Sequence, residues 1–270
     1  MRRSSTLFAV LLIVAACGTA GGDGGTTTTT VVPTTTAAPA TTTTSGNTTT
    51  TVTSGFPVTV EADNGPVTIE EMPDSIVSLS TVATEILFAV GAGDQVVAVD
   101  DQSNYPEEAP MTDLSGFTPN VEAILSYQPD LVFISFDPGD LVASLETAGV
   151  PVVSFGAAAT IEDTYRQIEA TGSATGHAAE AIDVNESIEA DLTDIAGSAP
   201  DVPEGTSYFH EIDSNLYTVT STTFFGQIYS IFGLVNIADD ADEDGSGYPQ
   251  LSSEFVVSAD PDLLFLADTL

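Results

Sequence analysis

Short apolar runs alternate with stretches of helical spacing through the middle of this chain. Segments 56–60 and 67–69 flank an Asp63-Asn64-Gly65 turn, a pattern that predicts a β-hairpin. Beyond the hairpin, four apolar runs suit buried strands, and helical segments separate them. The predicted strands are 76–79, 96–99, 131–134 and 151–154, and the predicted helices are 81–90, 121–127 and 141–148. Strands that alternate with helices predict a parallel α/β sheet.

A long helical segment then interrupts this rhythm. Between positions 161 and 196 apolar residues recur at helical spacing without a strand signal, so segment 160–200 is predicted to be one long linking helix. Gly172 and Gly176 favour a bend or a break in its first part. Afterwards strands are predicted at 207–211, 216–220 and 263–266, and a helix at 224–232. The predicted fold is therefore two α/β lobes, 56–159 and 201–270, with mainly parallel sheets, joined by one long α-helix.

An internal repeat supports two similar lobes. Residues 122–133 read Glu-Ala-Ile-Leu-Ser-Tyr-Gln-Pro-Asp-Leu-Val-Phe, and residues 254–265 read Glu-Phe-Val-Val-Ser-Ala-Asp-Pro-Asp-Leu-Leu-Phe. At a constant offset of 132 positions, six of these twelve residues are identical. In both copies a predicted helix leads through Pro-Asp into a predicted buried strand; convergence on this common joint is the alternative to duplication. Two joined lobes enclose a cleft, and ligands favour such interfaces. A helical connection predicts only modest closure.

The first 55 residues have the features of an exported, tethered protein. Residues 1–16 combine Arg2 and Arg3 with a short apolar run and small residues, as a signal peptide does. The sequence Val-Ala-Ala before Cys17 looks like a bacterial lipobox, in which the cysteine carries lipid. Residues 17–55 are rich in Thr, Gly, Ala and Pro, and are predicted to be a disordered tether. The protein is therefore predicted to be anchored by lipid to the outer face of the cell membrane.

The charge excludes one class of partner. The chain has 40 acidic residues and three basic ones, with a formal net charge of −37. After Cys17 the one basic side chain is Arg166. Because contacts with phosphates need basic residues, nucleic-acid binding is excluded. Such an acidic surface is compatible with a salty habitat, where ions screen self-repulsion.

Residues 56–269 resemble the cobalamin and ferric-siderophore class of ABC-transporter substrate-binding proteins. The matching segments run in the family's order over the whole predicted globular region: 76–91, 97–106, 119–125, 128–132, 233–237 and 248–254. The resemblance implies two α/β lobes, a rigid connecting helix and a shallow cleft for a large chelate. It also implies the permease dimer of an ABC importer as a partner, and the chain itself is predicted to be a monomer. Relatives continue with a further strand and a closing helix, so we expect the second lobe to be truncated after Leu270.

The resemblance assigns a docking role to two acids. One glutamate on each lobe docks onto arginines of the permease in this family, and the matching positions are Glu122 and Glu254. The internal repeat singles out the same two residues independently. Two equivalent acids suit a two-fold symmetric partner. The alternative is that both are solvated acids at helix starts, where the helix dipole favours them.

The ligand is predicted to be a neutral or cationic metal chelate. Anionic siderophores are gripped by Arg or Lys, which this chain almost lacks. A cobalt corrinoid is favoured, and a ferric hydroxamate siderophore is next. Ligand contacts are expected in the loops at the carboxyl ends of strands. The candidates are Gln102, Tyr105, Phe117, Phe136 and Asp137 in the first lobe and Ser221, Thr222, Phe224 and Tyr248 in the second.

Other functions have less support in the sequence. His177 and His210 lack a close third ligand, so no metal site and no resident cofactor are predicted. Haem held by a tyrosine stays open. No Gly-x-Ser-x-Gly elbow, phosphate-binding loop or cysteine nucleophile indicates an enzyme. The alternative to transport is a stalked cell-surface adhesion or structural module.

Overall fold

The computed structural model describes residues 55–200 and 202–267. The predicted signal peptide, Cys17 and the tether up to residue 54 lie outside the described residues. No helix among the described residues is both long and apolar enough to cross a membrane.

Five parallel strands form the sheet of the first lobe, called lobe one below (residues 58–154). An antiparallel hairpin precedes this sheet, as predicted, but its two turn residues are Asp63 and Asn64, because Gly65 already pairs with Ala62. The hairpin consists of β1 (Val58–Ala62) and β2 (Gly65–Ile69). The sheet strands are β3 (Ile76–Leu79), β4 (Val96–Asp100), β5 (Met111–Leu114), β6 (Leu131–Ile134) and β7 (Val152–Ser154). The predicted positions of β3 and β6 are confirmed, whereas β5 was not predicted.

Helices cover both faces of this sheet. Successive strand residues point to opposite faces, and they belong to two separate buried clusters. Ile76, Leu131 and Phe133 pack on one face, and Val77 and Val132 on the other. The helices of lobe one are α1 (Thr81–Ala89), α2 (Val121–Leu125) and α3 (Leu141–Thr147). Burial on both faces explains why β6 is an unbroken apolar run and why β3, β4 and β7 are mainly apolar.

The order of the strands fixes where a ligand can bind. The order is β5-β4-β3-β6-β7, so the chain first moves outward from β3 in one direction and then returns to its other side. The connections after β3 and β6 therefore diverge and leave a crevice at the carboxyl ends of these strands. Ligands of open α/β sheets bind at such a switch point.

Two packed helices occupy the segment between the lobes. α4 (Ile161–Thr175) and α5 (Ala178–Ser198) are separated at Gly176, whose φ of 84° ends α4. Two contacts show that the helices run antiparallel. Near the start of α4, the Tyr165 carbonyl accepts Asn185 Nδ2 at 3.1 Å. Near the end of α4, Gly172 lies against Ala181, which precedes Asn185 in α5. The break falls at one of the two predicted glycines, and the 21-residue α5 is the long helix.

The second lobe, called lobe two below (residues 207–266), has a smaller parallel sheet with the order β10-β8-β9. Its strands are β8 (Ser207–Glu211), β9 (Val235–Asn236) and β10 (Leu263–Leu266), and its helices are α6 (Phe224–Ile231) and α7 (Ser253–Ala259). The predicted strand at 216–220 is wrong, because its N–H groups bond to a loop: Thr218 donates to Pro249 and Thr220 to Gly247. Among residues 202–267, β10 lies at the edge of this sheet, and Leu264 is 60% exposed.

The internal repeat extends to the pairing of strands. β3 pairs with β6 through Ile76 and Leu131, and β8 pairs with β10 through Tyr208 and Leu263, which lie 132 positions further on. A carboxylate caps the neighbouring strand in both lobes. Asp130 Oδ2 accepts the Ser75 N–H at 3.0 Å, and Asp262 Oδ2 accepts the Ser207 N–H at 2.8 Å. The Ser207 bonds hold the pKa of Asp262 below its usual value.

Candidate ligand-binding site

The candidates of lobe one surround the carboxyl ends of its strands. Gln102 and Tyr105 follow β4, Phe117 follows β5, and Phe136 follows β6. Tyr105 is 61% exposed, Phe117 68% and Phe136 44%. Large exposed aromatic side chains grouped on one edge are typical of a binding surface.

Phe117 and Phe136 form a pair. Their ring centroids lie 5.7 Å apart, and the rings are tilted by 47°. Their strands, β5 and β6, are separated in the sheet by β4 and β3, so the two loops meet above the ends of the central strands. The paired rings offer an apolar surface to a large, partly apolar ligand.

Asp137 is held by the start of a helix. Its Oδ1 accepts the Val142 N–H at 3.0 Å, in the first turn of α3. This bond satisfies one of the free N–H groups at the helix start. Asp137 therefore has a local structural role in addition to its position beside Phe136.

The candidates of lobe two lie just before α6, at its first residue, and in the loop before α7. The Ser221 N–H donates to Asp239 Oδ1 at 2.8 Å, and the hydroxyls of Thr222 and Thr220 lie 2.8 Å apart. Tyr248 is 49% exposed. Asp239, which the sequence did not single out, therefore holds the Ser221 loop.

A neighbouring aromatic residue was missed. Phe224 is half-buried, whereas Phe225 is 48% exposed. The Phe225 ring lies 5.5 Å from that of His210. Helical spacing alone does not tell which of two adjacent phenylalanines faces outward, and both stand in the first turn of α6.

The two groups of candidates stay separate in this structure. Within residues 55–200 and 202–267, no hydrogen bond or ring contact joins a candidate of one lobe to a candidate of the other. Gln227 provides a connection nearby: its Oε1 accepts the Ile161 N–H at 3.2 Å, and its Nε2 donates to the Thr222 carbonyl at 3.3 Å. The start of α4 is thereby bonded to a candidate loop of lobe two.

The two histidines occupy different environments. His210 is 8% exposed, and its Nδ1 lies 2.9 Å from the Tyr229 hydroxyl. Burial lowers its pKa, because the charged imidazolium loses solvation. His177 lies between α4 and α5, with its Nδ1 3.0 Å from the Thr175 carbonyl. The part of the chain that the structure describes contains no group of three or more metal-ligating side chains placed to hold a metal.

The one Arg or Lys among the described residues is already engaged. Arg166, on α4, pairs with Asp163 one turn earlier. This hydrogen bond holds the pKa of the Asp163 carboxyl below its usual range. Asp163 also forms a capping box with Thr160 at the start of α4. The candidate surfaces therefore carry no free Arg or Lys for an anionic ligand.

A groove of about 680 Å³ lies at the opposite end of lobe one. Its lining includes Glu70, Glu71 and Asp74, together with Pro129 and Pro151, which precede β6 and β7. It contains none of the candidate ligand residues. Because it is at the amino ends of the strands, it is separate from the switch-point crevice.

Glu122 and Glu254 occupy equivalent positions. Each is the second residue of a short helix, and each is exposed. The preceding cap residue accepts a backbone N–H at 3.1 Å in both cases: Asn120 from Ala123, and Ser252 from Phe255. The repeat therefore holds in three dimensions at the level of the local helix geometry.

Residues 76–269 match the family model described as periplasmic binding protein. The chain belongs to this family. As a periplasmic binding protein it binds a solute and is not an enzyme, and any metal chelate is cargo rather than a resident cofactor.

Two curated relatives and one solved structure agree with this assignment. The chain is 33% identical over 226 residues to an uncharacterized ABC transporter substrate-binding lipoprotein of Bacillus subtilis, covering 80% of this chain and 71% of the relative. It is 34% identical over 217 residues to a cobalamin-binding protein of Halobacterium salinarum, covering 77% of this chain but only 58% of that protein. The crystal structure of a possible iron-binding, periplasmic solute-binding protein from Staphylococcus epidermidis superposes with a TM-score of 0.67 at 25% identity, covering 74% of this chain and 79% of that chain. The predicted two-lobed α/β fold is thereby confirmed.

Proposed function

We propose that this periplasmic binding protein is exported, captures a metal chelate and delivers it to an ABC importer. A cobalt corrinoid is the favoured cargo, and a ferric hydroxamate siderophore is next. The observation that carries the proposal is the exposed Phe117–Phe136 pair at the switch point of the sheet, in a chain related to a cobalamin-binding protein. Corrinoids and hydroxamate chelates are large and partly apolar, as this surface requires.

The charge of the protein supports a neutral or cationic cargo. The chain carries a net charge of −37, and Arg166 is paired with Asp163. A multiply anionic chelate would be repelled by this surface and would find no free guanidinium or ammonium group to offset the repulsion.

Delivery would use Glu122 and Glu254 as docking acids for a two-fold symmetric permease dimer. Their equivalent helix positions and their exposure support this role. Lipid attached at Cys17 would keep the monomeric binding protein beside the importer, and the tether would let it reach both the solute and the permease.

The test is thermal unfolding of the purified protein with cyanocobalamin, ferrioxamine B or haem. A ligand that binds only the folded state stabilises it by about 2.7 kcal/mol at a hundred times its Kd. We expect stabilisation by cyanocobalamin, weaker stabilisation by ferrioxamine B and none by haem, whose propionates are anionic. Stabilisation by ferrioxamine B alone would keep the importer role and reverse the order of the cargos.

The aromatic pair supplies the matched variants. Phe117→Ala and Phe136→Ala should each weaken cyanocobalamin binding on the order of tenfold, because each removes one large apolar contact from the ligand surface. Tyr127→Ala is the control, since Tyr127 is exposed but follows α2, away from the crevice. If no chelate stabilises the folded protein, the transport proposal fails and a stalked surface module becomes the better explanation.

A further inference from the structure

A buried carboxylate lies directly beneath the candidate loops of lobe one. Asp100 is the last residue of β4 and is only 3% exposed. Its Oδ1 accepts the N–H of Ser103 at 3.0 Å and that of Gln102 at 3.3 Å. The carboxylate therefore holds the backbone of the turn that carries Gln102 and leads to Tyr105.

Buried hydroxyl groups continue from this turn to the neighbouring loop ends. Ser103 is 1% exposed, and its Oγ lies 3.2 Å from the hydroxyl of Thr84. The Thr84 hydroxyl also lies 2.9 Å from Ser78 Oγ and 2.9 Å from the Ser80 carbonyl. The Ser135 hydroxyl donates to Ser80 Oγ at 2.7 Å, one residue before Phe136. The loops after β3, β4 and β6 are thus joined by hydrogen bonds.

The loop that carries Phe117 packs on the same carboxylate. A Cβ atom at Gly116 would lie 2.5 Å from the Leu79 carbonyl oxygen and 3.0 Å from Asp100 Oδ2. Only glycine allows this approach of the backbone. Asp100 therefore contacts two separate loops, one with Gln102 and one with Phe117.

We propose that Asp100 is a positioning residue for ligand capture, which together with the buried hydroxyls fixes the Gln102 and Phe117 loops in their binding arrangement before the ligand arrives. This inference rests on the proposed function and explains how an exposed surface is kept rigid. A preformed site loses less conformational entropy on binding, so more of its contact energy appears as affinity. None of the network residues needs to touch the ligand.

Two substitutions separate positioning from direct contact. Asp100→Ala removes both acceptor bonds, whereas Asp100→Asn keeps a side-chain oxygen for the Ser103 N–H. With Asp100→Ala the binding-competent loop arrangement is populated less, so association with cyanocobalamin should slow on the order of tenfold while dissociation changes little. Asp100→Asn should stay within about threefold of the wild type. Loss of a direct ligand contact would instead speed dissociation.

Amide hydrogen exchange in the ligand-free protein gives a second, ligand-independent readout. The Gln102 and Ser103 amides should exchange on the order of tenfold faster in Asp100→Ala, because their acceptor is gone. Ser103→Ala, which removes the link to Thr84, should act in the same direction and is the fallback if Asp100→Ala does not fold. Val60→Ala, in the hairpin core, is the control that loses stability without touching these loops.

The outcomes distinguish the inference from the function on which it rests. If Asp100→Ala lowers the melting temperature as Val60→Ala does but leaves association and exchange at wild-type rates, Asp100 only supports the fold and the inference is wrong. If the wild-type protein binds neither cyanocobalamin nor ferrioxamine B, the proposed function fails and the role in capture fails with it. The exchange measurement then still decides whether Asp100 anchors the turn.

Discussion

Asn236 is a buried amide of lobe two whose side chain makes three hydrogen bonds. It is 6% exposed, its Nδ2 donates to the Tyr208 hydroxyl at 2.7 Å and to the Val219 carbonyl at 2.8 Å, and its Oδ1 accepts the Ala238 N–H at 2.8 Å. A buried amide is tolerated only when it is partnered in this way. Asn236 ties β9 to β8 and to the segment at Val219, whose neighbours Thr218 and Thr220 are bonded to the loop that contains Gly247 and Pro249.

Replacing Asn236 should therefore destabilise the protein clearly. Asn236→Ala removes three hydrogen bonds and leaves the Tyr208 phenol and the Ala238 N–H without this partner, and we expect the free energy of unfolding to fall by about 2–3 kcal/mol. Urea denaturation followed by circular dichroism at fixed salt measures this loss. The control is Tyr208→Phe, which removes one hydrogen bond and should cost about 1 kcal/mol. Equal losses of unfolding free energy in the two variants would contradict the explanation that all three hydrogen bonds of Asn236 stabilise the fold.

Ionisation of Tyr208 should destabilise lobe two in alkaline solution. Burial raises the pKa of its phenol to about 12, from an ordinary value of about 10. Because the neutral phenol is the form that the fold accepts, its contribution is fully present below pH 10 and is lost as the pH rises towards 12. Between pH 8 and pH 12 the melting temperature should fall less for Tyr208→Phe than for the wild type. A Tyr127→Phe variant, changed at an exposed tyrosine, should decline as the wild type does.

At the scale of elements, the α4–α5 hairpin depends on one close contact. A Cβ atom at Gly172 would lie 2.4 Å from the Ala181 Cβ and 2.7 Å from the His177 carbonyl oxygen. Gly172→Ala should push the helices apart and cost about 1–3 kcal/mol of unfolding free energy, measured by urea denaturation. Gly197→Ala is the matched control, since nothing lies within 4 Å of its Cβ position in α5. Gly197→Ala should be neutral or stabilising by about 0.5–1 kcal/mol. If both variants lost a comparable amount of unfolding free energy, helix packing at Gly172 would be excluded as the cause.

The elements that the sequence predicted well are those with a strong local signal. β3, β6 and β10 were predicted at their observed residues, since a short and mainly apolar run between turn signals leaves little ambiguity. β5 (Met111–Leu114) and the two-residue β9 were not predicted, because they mix polar and apolar residues and are strands only through their neighbours.

The candidate site shows the same limit. The sequence could place Phe117 and Phe136 at strand ends, but their contact depends on the strand order, which no local pattern encodes. The Asp100 anchor was also missed, because a carboxylate at a strand end gives no signal of the two N–H groups that it accepts. The repeat was the exception: a match of six residues in the sequence corresponded to conserved strand register and conserved capping in the structure.

At the scale of the whole molecule, like charges dominate. The net charge is −37, and α5 alone exposes Glu180, Asp183, Glu186 and Glu189 at helical spacing along one helix. Such pairs repel one another when ions do not screen them. The folded state brings these acids closer together than the unfolded chain does, so salt should favour folding.

We therefore expect the melting temperature to rise as NaCl increases from 0.1 M to 1 M, where the screening length falls from about 10 Å to about 3 Å. Choline chloride at the same ionic strength is the control, because it screens charge without offering a small metal cation. An equal rise in both salts supports screening, and a rise in NaCl alone indicates specific binding of Na⁺. A melting temperature that does not change with salt would mean that the acids are too far apart to repel.

The scarcity of basic residues also makes the chain an unusual protease substrate. Beyond Arg3 a trypsin-type enzyme has one peptide bond to cut, between Arg166 and Gln167. That bond lies within α4, and the helix must open locally before a protease can bind it. Gln167 also holds this turn of α4 in place, because its Nε2 donates to the Gly156 carbonyl at 3.0 Å. A single cut would leave one fragment with lobe one and another with α5 and lobe two, so the rate of digestion directly reports how often the connection between the lobes opens.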